Sequence, residues 1–399
     1  DRTLAAFAKA VNKGNDKLSA ILTQDVTADM GGKEADCPMI GIDTYYNGTF
    51  DGQGHTLNIN VDANGIDGGI FSNVGSATIK NIIAEGSVTN GAQAGFIGNI
   101  GNGSPTLEGI IVKMDIEGTA NVGGFFGNCN NSGGTCDMRN MMFAGKVKYM
   151  GAAGKNGIGG FCGWAFDTKF TMRNCIMVGD IDLGEGTTPG IMLRVRSTCS
   201  IQSEHCAYVP VEGVKYINGN NAEMDGTPAA CDNGTDGSLC YAANGNSFQN
   251  PVWYQNLDEG ELPVLDATHK VVYPSTGGFT SRGKEEYEEI ASDLIAEAGE
   301  YTNPEERPAQ KTLTDDYKQA IEALSSATSF DELVAAYYPA IAEKREAVTR
   351  SMKAYAQLVS KVEETRQYIS DNADDFKGGP AFQKLESYLS DDMTDPDEE

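Results

Sequence analysis

An internal repeat constrains the fold of this chain more than any other feature. Three short elements recur in the same order, separated by glycine-rich turns. The first is a glycine followed by apolar residues and ends in Asn or Trp, as in residues 69–73, 95–99, 124–128 and 160–164. The second begins at Ile79, Leu107, Met138 and Met172, and the third is one apolar residue, at Val88, Ile116, Val147 and Ile181.

The starts of the second element lie 28, 31 and 34 residues apart. Apolar segments this short cannot bury their faces alone, whereas stacked coils give every strand two parallel neighbours. Three segments per coil predict a mainly β chain, folded as a right-handed parallel β-solenoid with irregular glycine-rich coils. Five or six coils fit, and Ile79, Leu107, Met138 and Met172 are expected to share an interior column. Insertions such as residues 148–158 should form loops at the turns.

Two small-residue positions also recur in the second element. Asn81, Asn140 and Asn174 occupy the first position, and Gly109 takes it in the remaining coil. Stacked amides at this position are expected to hydrogen-bond from coil to coil in a ladder. The second position holds Gly86, Gly145 and Gly179. We expect a turn with positive φ there, because glycine adopts that conformation without a steric penalty.

A shift in composition divides the chain, because glycine is abundant before residue 284 and gives way to Glu, Ala, Lys and Leu beyond it. We expect a solenoid domain over 1–282, with coils from about 18 to 208 and a C-terminal cap over 209–273. An N-terminal helix over 1–13 should cap the first coil with its apolar face, which carries Leu4, Phe7, Ala8 and Val11.

The residues beyond the solenoid predict a small all-α domain over 283–390. Its expected helices are 284–301, 314–324, one that opens near residue 329 and meets Pro339, and a long one over about 340–372. A three-helix bundle is favoured over a partner-binding coiled coil, since the connections are short. Residues 391–399 are too acidic to pack and indicate a tail or linker to further modules.

The net charge of −27 and the pI near 4.4 exclude nucleic acid as a partner, because little is available to displace phosphate counterions. The same argument disfavours anionic membrane surfaces. No run of about 18 apolar residues is present, so we expect no membrane insertion by this segment.

The nine cysteines all lie in the solenoid part. In an oxidising compartment, three pairs that bracket short loops are candidate disulfides: Cys231–Cys240, Cys129–Cys136 and Cys199–Cys206. The alternative is that these residues are buried thiols, as the repeat predicts for Cys162 and Cys175.

Candidate ligand-binding side chains fall into two groups. Arg139 and Arg173 lie one coil apart at equivalent outward positions, in a row that we expect to include Lys80, Glu108 and Gln202. Such a row could serve a polysaccharide lyase or glycosidase, but a solvated ladder of mixed charge is favoured because no paired acids accompany the arginines. The second group comprises Tyr149 and Trp164, whose rings could stack on sugars.

No catalytic residue and no cofactor is predicted. The three histidines are far apart in the sequence, and no zinc-ligand spacing is present. The Asp/Asn-Gly clusters at 62–68 and 232–237 leave room for adventitious calcium, although such clusters are usually ordinary turns.

Residues 50–57, the Gly-Phe-Phe-Gly elements and the closing segment from Trp253 to His269 resemble GLUG-repeat β-helix surface proteins of gut Bacteroides-type bacteria. The resemblance covers about residues 1–275. It implies secretion, a lipid anchor upstream of this segment in the outer membrane, and an adhesin-like role. It brings no catalytic residues.

Three functions remain open from the sequence. The favoured one is a monomeric, non-enzymatic protein of the bacterial cell surface that presents loops to a glycan or a host surface protein. The runner-up is a parallel β-helix polysaccharide lyase or glycoside hydrolase. The third is a structural spacer for other surface modules.

Overall fold

The computed structural model of the protein describes residues 2–281, 315, 319, 330–372 and 379–390, apart from positions 102, 153–156, 184–187, 191–192, 196–197, 213, 219–222, 249 and 276–277. The chain divides into two compact units, Asp1–Val272 and Tyr273–Glu399. The boundary therefore precedes the predicted one at residue 282. Strands are the main regular element of the first unit, and the described part of the second unit is mostly helical.

The described strands, in chain order, are β1 (Ala20–Ile21), β2 (Val26–Met30), β3 (Thr49–Asp51), β4 (Thr56–Asp62), β5 (Phe71–Val74), β6 (Thr78–Ala94), β7 (Ile97–Gly101), β8 (Thr106–Gly123), β9 (Phe126–Asn130), β10 (Thr135–Phe143), β11 (Lys146–Tyr149), β12 (Gly157–Gly159), β13 (Cys162–Phe166), β14 (Lys169–Arg173), β15 (Ile176–Met177), β16 (Asp180–Asp182), β17 (Thr188–Gly190), β18 (Leu193–Val195), β19 (Ser200–Glu204), β20 (Ala207–Tyr208), β21 (Ile217–Asn218), β22 (Glu223–Asp225), β23 (Ala229–Ala230), β24 (Tyr273–Ser275) and β25 (Gly278–Thr280). In the first unit, all pairings between these strands are parallel and join one coil to the next. One sheet stacks β5, β7, β9, β13, β18 and β21 in turn, which gives six coils. The predicted parallel β-solenoid is confirmed.

The predicted interior column is present. Ile79 pairs with Leu107, Leu107 with Met138, and Met138 with Met172, and Phe50 extends the column by one coil. All five side chains are at most 2% exposed. Burying a side chain of this size stabilises the fold by about 1.5–3 kcal/mol. The column therefore binds successive coils to one another.

The other two repeat elements stack in the same way. Val88 pairs with Ile116, and Val147 pairs with both Ile116 and Ile181. Within the first element, the register runs through Phe71, Ile97, Phe126, Cys162, Leu193 and Ile217. Each coil thus contributes three short apolar segments to one continuous core.

The predicted amide ladder lies elsewhere in the coil. The corner that holds Asn81 and Asn174 instead shares a left-handed backbone, with φ of 56° and 54°, and Gly109 has φ of 65°. Asn tolerates this region better than most residues, which explains its recurrence. The ladder is formed at the end of the first repeat element. There, Asn99 donates to Asn73 (3.1 Å) and Asn128 donates to Asn99 (2.8 Å).

The glycine prediction holds for one of three positions. Gly86 has φ of 105°, but Gly145 and Gly179 are not among the positive-φ glycines. A Cβ at Gly145 would lie 2.0 Å from the carbonyl oxygen of Met114, and one at Gly179 would lie 2.4 Å from that of Gly145. These two positions need glycine because two coils approach closely, and the prediction of positive φ was wrong there.

The N-terminal cap is confirmed. Helix α1 (Arg2–Asn12) buries Leu4, Ala8 and Val11, and Phe7 is partly buried against the same core. The Phe7 ring makes an edge-to-face contact with the Phe50 ring, with centroids 5.7 Å apart. Such aromatic contacts add about 0.5–1.5 kcal/mol beyond the burial itself.

Part of the region predicted as the C-terminal cap over 209–273 contacts the side of the solenoid, and its role as an end cap stays a prediction. Residues 231–272 contain helix α2 (Ser238–Ala243) and a 3₁₀ turn (Leu257–Glu259), and they run along one side of the coils. Trp253 Nε1 donates to the carbonyl oxygen of Asn174 (2.8 Å), and Asn174 Nδ2 donates to that of Ala243 (2.6 Å). We call residues 231–272 the side flap.

The side flap covers an outward apolar row. Ile83, Ile111, Met142 and Ile176 follow one another in register from coil to coil. Ile111, Met142 and Ile176 are buried but stand apart from the interior core, as do Trp253 and Leu239 of the flap. A second apolar layer therefore lies between the solenoid and the flap.

The second unit contains the antiparallel pair of β24 and β25 and the helices α3 (Phe330–Asp371) and α4 (Pro380–Ser390). Helix α3 runs through Pro339, where the sequence predicted a boundary. A proline inside a helix lowers the stability of that helix by about 3 kcal/mol. The hydrogen bonds of the other turns of this 42-residue helix outweigh that loss. The predicted stripe of Tyr355, Leu358, Val362 and Ile369 is half-buried. The three-helix bundle stays a prediction, because helices 284–301 and 314–324 and the tail 391–399 lie outside the described residues, apart from helical positions 315 and 319.

A candidate binding cleft beside the solenoid

A cleft of about 640 Å³ lies in the first unit, between the solenoid corner and the side flap. Its apolar lining comprises Ile82, Ile83, Ile111, Val264 and Leu265. Its polar lining comprises Gln53, Asn81, Lys113, Asp266 and His269, with Gly54 and Gly109 at the corner. A concave apolar surface with a few polar groups on facing walls is the usual form of a ligand site.

The solenoid wall of the cleft is organised by Asp51. Its carboxylate accepts hydrogen bonds from Gln53 Nε2 (2.7 Å) and Asn81 Nδ2 (3.0 Å) and pairs with Lys80 at 3.3 Å. Burial alone would raise the pKa of Asp51, but the hydrogen bonds from Gln53, Asn81 and Lys80 outweigh it and lower that pKa. Asp51 is therefore ionised at neutral pH and fixes both amides in place.

Gly109 keeps the corner open. It replaces the Asn of neighbouring coils, and a Cβ there would lie 3.0 Å from Asn81 Oδ1. Its φ of 65° also places it in the left-handed region. A bulkier residue would therefore crowd the amide oxygen that Asn81 holds beside the cleft.

The flap wall carries a histidine between two carboxylates. His269 Nε2 lies 3.5 Å from Glu261 Oε2, and His269 Nδ1 lies 3.7 Å from Asp266 Oδ2. The backbone N–H of Thr268 donates to Asp266 (2.9 Å) and, as the first cause, lowers the pKa of that carboxyl. Neither His269 Nδ1 nor Glu261 Oε2 has a hydrogen-bond partner within the described part of the chain. Both atoms are buried, so the polar groups that this wall presents to the cleft are those of Asp266 and the rest of the His269 ring.

Lys113 supplies the positive charge of the cleft. Its ammonium group lies 3.9 Å from Glu85 Oε1, and its side chain is 44% exposed. A pair this long and this exposed is weak. Lys113 can therefore turn towards an anionic or hydroxyl group of a ligand with little loss of ion-pair energy.

The predicted charge row is largely confirmed. Pairing places Asp51, Lys80, Glu108, Arg139, Arg173 and Glu204 in one row. Gln202 is not a member, because it pairs with Thr171 in the adjacent row. Arg139 Nε donates to Asp137 (3.2 Å), and Arg173 Nε donates to Glu204 (2.8 Å). Both arginines are thus held by carboxylates, as expected of a mixed-charge ladder.

The two candidate aromatics lie outside the cleft. Tyr149 is only 4% exposed and its hydroxyl donates to the carbonyl oxygen of Ala152 (3.0 Å), so its ring does not present a stacking face. Trp164 continues the Asn ladder in register with Asn128, and the Arg194 guanidinium lies 3.6 Å from its ring centroid. Trp164 therefore already makes a cation–π contact within the protein.

All nine cysteines are buried thiols in the structure, and none of the three predicted pairs is bridged in it. Members of each pair have other partners. Cys129 Sγ contacts Thr168 Oγ1 (3.6 Å), Cys240 Sγ donates to the carbonyl oxygen of Trp253 (3.3 Å), and Cys206 Sγ donates to that of Glu204 (3.5 Å). Burial raises the pKa of Cys129 and of Cys240 to about 12.

The two Asp/Asn-Gly clusters form turns. Asp62 accepts from the backbone N–H of Asn64 (3.1 Å), and Asn233 accepts from that of Asp236 (2.9 Å). Over the residues that the structure describes, no group of three or more potential ligands is placed to hold a metal ion. The Asp62 carboxylate and the Asn233 amide thus bond to backbone N–H groups of their own turns.

Comparisons with known proteins place no further constraint on the chain. No family model, curated protein or solved structure matches it significantly. The resemblance to GLUG-repeat proteins accordingly stays a prediction. Among the described helices, none combines the length and hydropathy that crossing a membrane requires.

Proposed function

We propose that this protein is a non-enzymatic, adhesin-like protein of the bacterial cell surface, and that the cleft beside the solenoid binds a glycan or a host surface protein. The cleft itself carries the proposal, because two distant parts of the sequence build its facing walls. The stacked coils supply a rigid wall with fixed amides, and the flap supplies Asp266 and His269. Attachment through a lipid anchor upstream and a monomeric state belong to the same proposal.

The walls suit a ligand with both apolar and hydroxyl or amide groups. The isoleucines offer a flat aliphatic surface. The amides, Lys113 and Asp266 together offer both hydrogen-bond donors and hydrogen-bond acceptors. Sugar rings and extended peptides both have this mixed character. The ion-paired state of Arg139 and Arg173 supports binding over catalysis, since a guanidinium paired with a carboxylate stays protonated and cannot accept a proton from a substrate.

A binding screen with a matched pair of variants tests this proposal. The protein is applied to arrays of neutral and acidic glycans and of host surface proteins, and the affinity for any partner is then measured for Lys113→Ala and Lys148→Ala. Lys148 is a fair control because it is 39% exposed and pairs with Glu117 at 3.4 Å, much as Lys113 pairs with Glu85. We expect about a tenfold loss for Lys113→Ala only. Equal affinities for the two variants would place the site elsewhere.

The enzymatic alternative has its own test on the same protein. Acidic and neutral polysaccharides are incubated with it and their size is followed. Depolymerisation that disappears in Arg173→Ala would replace the adhesin proposal with the lyase or hydrolase. If neither binding nor depolymerisation occurs, the spacer function is favoured instead.

A further inference from the structure

Two cysteines that the sequence did not pair occupy equivalent positions in successive coils. Cys175 follows Asn174 and Cys206 follows His205, and these two corner residues share left-handed backbone with φ of 54° and 53°. The next residue in one coil, Ile176, pairs directly with its counterpart in the other. Cys175 and Cys206 therefore stack one above the other.

The two thiols also have the same orientation. Cys175 Sγ donates to the carbonyl oxygen of Arg173 (3.4 Å), and Cys206 Sγ donates to that of Glu204 (3.5 Å). Neighbouring parallel strands are about 4.8 Å apart, which falls within the Cα separation of about 4.4–6.8 Å that a disulfide spans.

The other cysteines of the stacked strands lack this arrangement. Cys136 pairs in register with Phe170, Cys162 with Phe126 and Leu193, and Cys129 with Ile100 and Ala165. Each of these thiols therefore faces an apolar side chain in the next coil. Stacking in register thus singles out Cys175 and Cys206 among them.

We propose that Cys175 and Cys206 are a disulfide site that cross-links two successive coils near the C-terminal end of the solenoid. The oxidant is an external disulfide, either a small-molecule disulfide or that of a thiol–disulfide oxidoreductase. The Cys206 thiolate attacks it to give a mixed disulfide and releases one external thiol. The Cys175 thiolate then displaces the second external thiol, so that two electrons pass to the oxidant and the two protons of the cysteines end on the released thiols.

The local chemistry agrees with this order of steps. The neighbouring Cys175 thiol lowers the pKa of Cys206, whereas burial raises the pKa of Cys175. Both residues are at most 3% exposed and belong to the interior core of the solenoid, so oxidation must precede the closure of these two coils.

Peptide mapping of the full chain tests the proposal. The protein is refolded from the reduced, denatured state with glutathione disulfide and glutathione, alkylated without reduction and digested with trypsin. We expect peptide 174–194 linked to peptide 197–215, with fragmentation placing the bond at Cys206 and not at Cys199. The link should vanish on reduction.

Thermal unfolding provides a second readout. The oxidised wild type should unfold several degrees above the reduced one, and this difference should vanish in the Cys175→Ala/Cys206→Ala variant but persist in Cys240→Ala. Alkylated Cys175 and Cys206 in the oxidised sample, or a bond from either one to a different cysteine, would overturn the proposal. The mapping is done on the wild type, so it remains decisive if a variant fails to fold.

Discussion

Gly145→Ala tests how tightly the coils are stacked. The added Cβ would lie 2.0 Å from the carbonyl oxygen of Met114 in the preceding coil, and 2.7 and 2.8 Å from its backbone N and C. All three atoms belong to the backbone, so no side chain can rotate away. To reach even 3.0 Å, the lower limit of real Cβ contacts, the two coils must separate by about 1 Å. The flanking ladder bond from Ala144 N to the carbonyl oxygen of Val112 (2.8 Å) would then be strained.

The magnitude follows from these contacts. Overpacking costs about 1–3 kcal/mol, and a weakened ladder bond adds about 1 kcal/mol, so we expect the free energy of unfolding to fall by about 2–4 kcal/mol. Gly32→Ala is the matched control, because its Cβ meets nothing within 4 Å and its φ is not in the left-handed region. That change should be neutral or stabilise by up to about 1 kcal/mol.

Thermal unfolding followed by circular dichroism measures the difference. At about 2–4 °C per kcal/mol, Gly145→Ala should unfold about 5–15 °C below the wild type, while Gly32→Ala stays within about 3 °C of it. If the two variants unfolded at the same temperature, the coils would not approach as closely as the structure shows. The explanation given for the recurrent glycine would then be wrong.

Three further predictions concern the ion pairs, the flap and acid stability. Arg173→Ala should lower the free energy of unfolding by at most about 1 kcal/mol in urea titrations, because its pair is half-exposed. Trp253→Phe removes the hydrogen bond to Asn174 and leaves a buried carbonyl unpaired, so limited proteolysis within residues 231–272 should accelerate about tenfold. The pKa of Asp62 is lowered by hydrogen bonds, first from the side chain of Asn90. Its contribution to stability should be complete above the unfolded pKa of about 3.9 and be lost as the pH falls through the folded pKa, which a carboxyl NMR titration with an Asp62→Asn control can follow.

The solenoid could be predicted from the sequence because the apolar residues that define it lie close together in the chain and recur in every coil. An apolar residue in the same place in every coil has one simple explanation, and Ile79, Leu107, Met138 and Met172 do share a column. The cap helix followed from helical spacing alone. The row of charged side chains could also be predicted by counting positions along the repeat. The count failed only in the last coil, where the register places Glu204 in the row and not Gln202.

The cleft could not be predicted because it depends on where the flap returns. No periodicity links Val264 to Ile83, which are far apart in the sequence. One signal was nevertheless present. Ile110-Ile111-Val112 and Met141-Met142-Phe143 are continuous apolar runs, whereas a strand with one solvated face alternates. Such runs indicate a strand covered on both faces, and thus a second layer outside the solenoid.

Methyl NOEs in a sample with labelled Ile, Leu and Met methyl groups test the stacking of the coils most directly. The account predicts cross-peaks from the Met138 methyl group to those of Leu107 and Met172, which are 31 and 34 residues away in the chain. Leu107 should in turn show a cross-peak to Ile79. If these methyl groups showed contacts only to residues nearby in the sequence, the coils would not be stacked, and the cleft built on them would not exist.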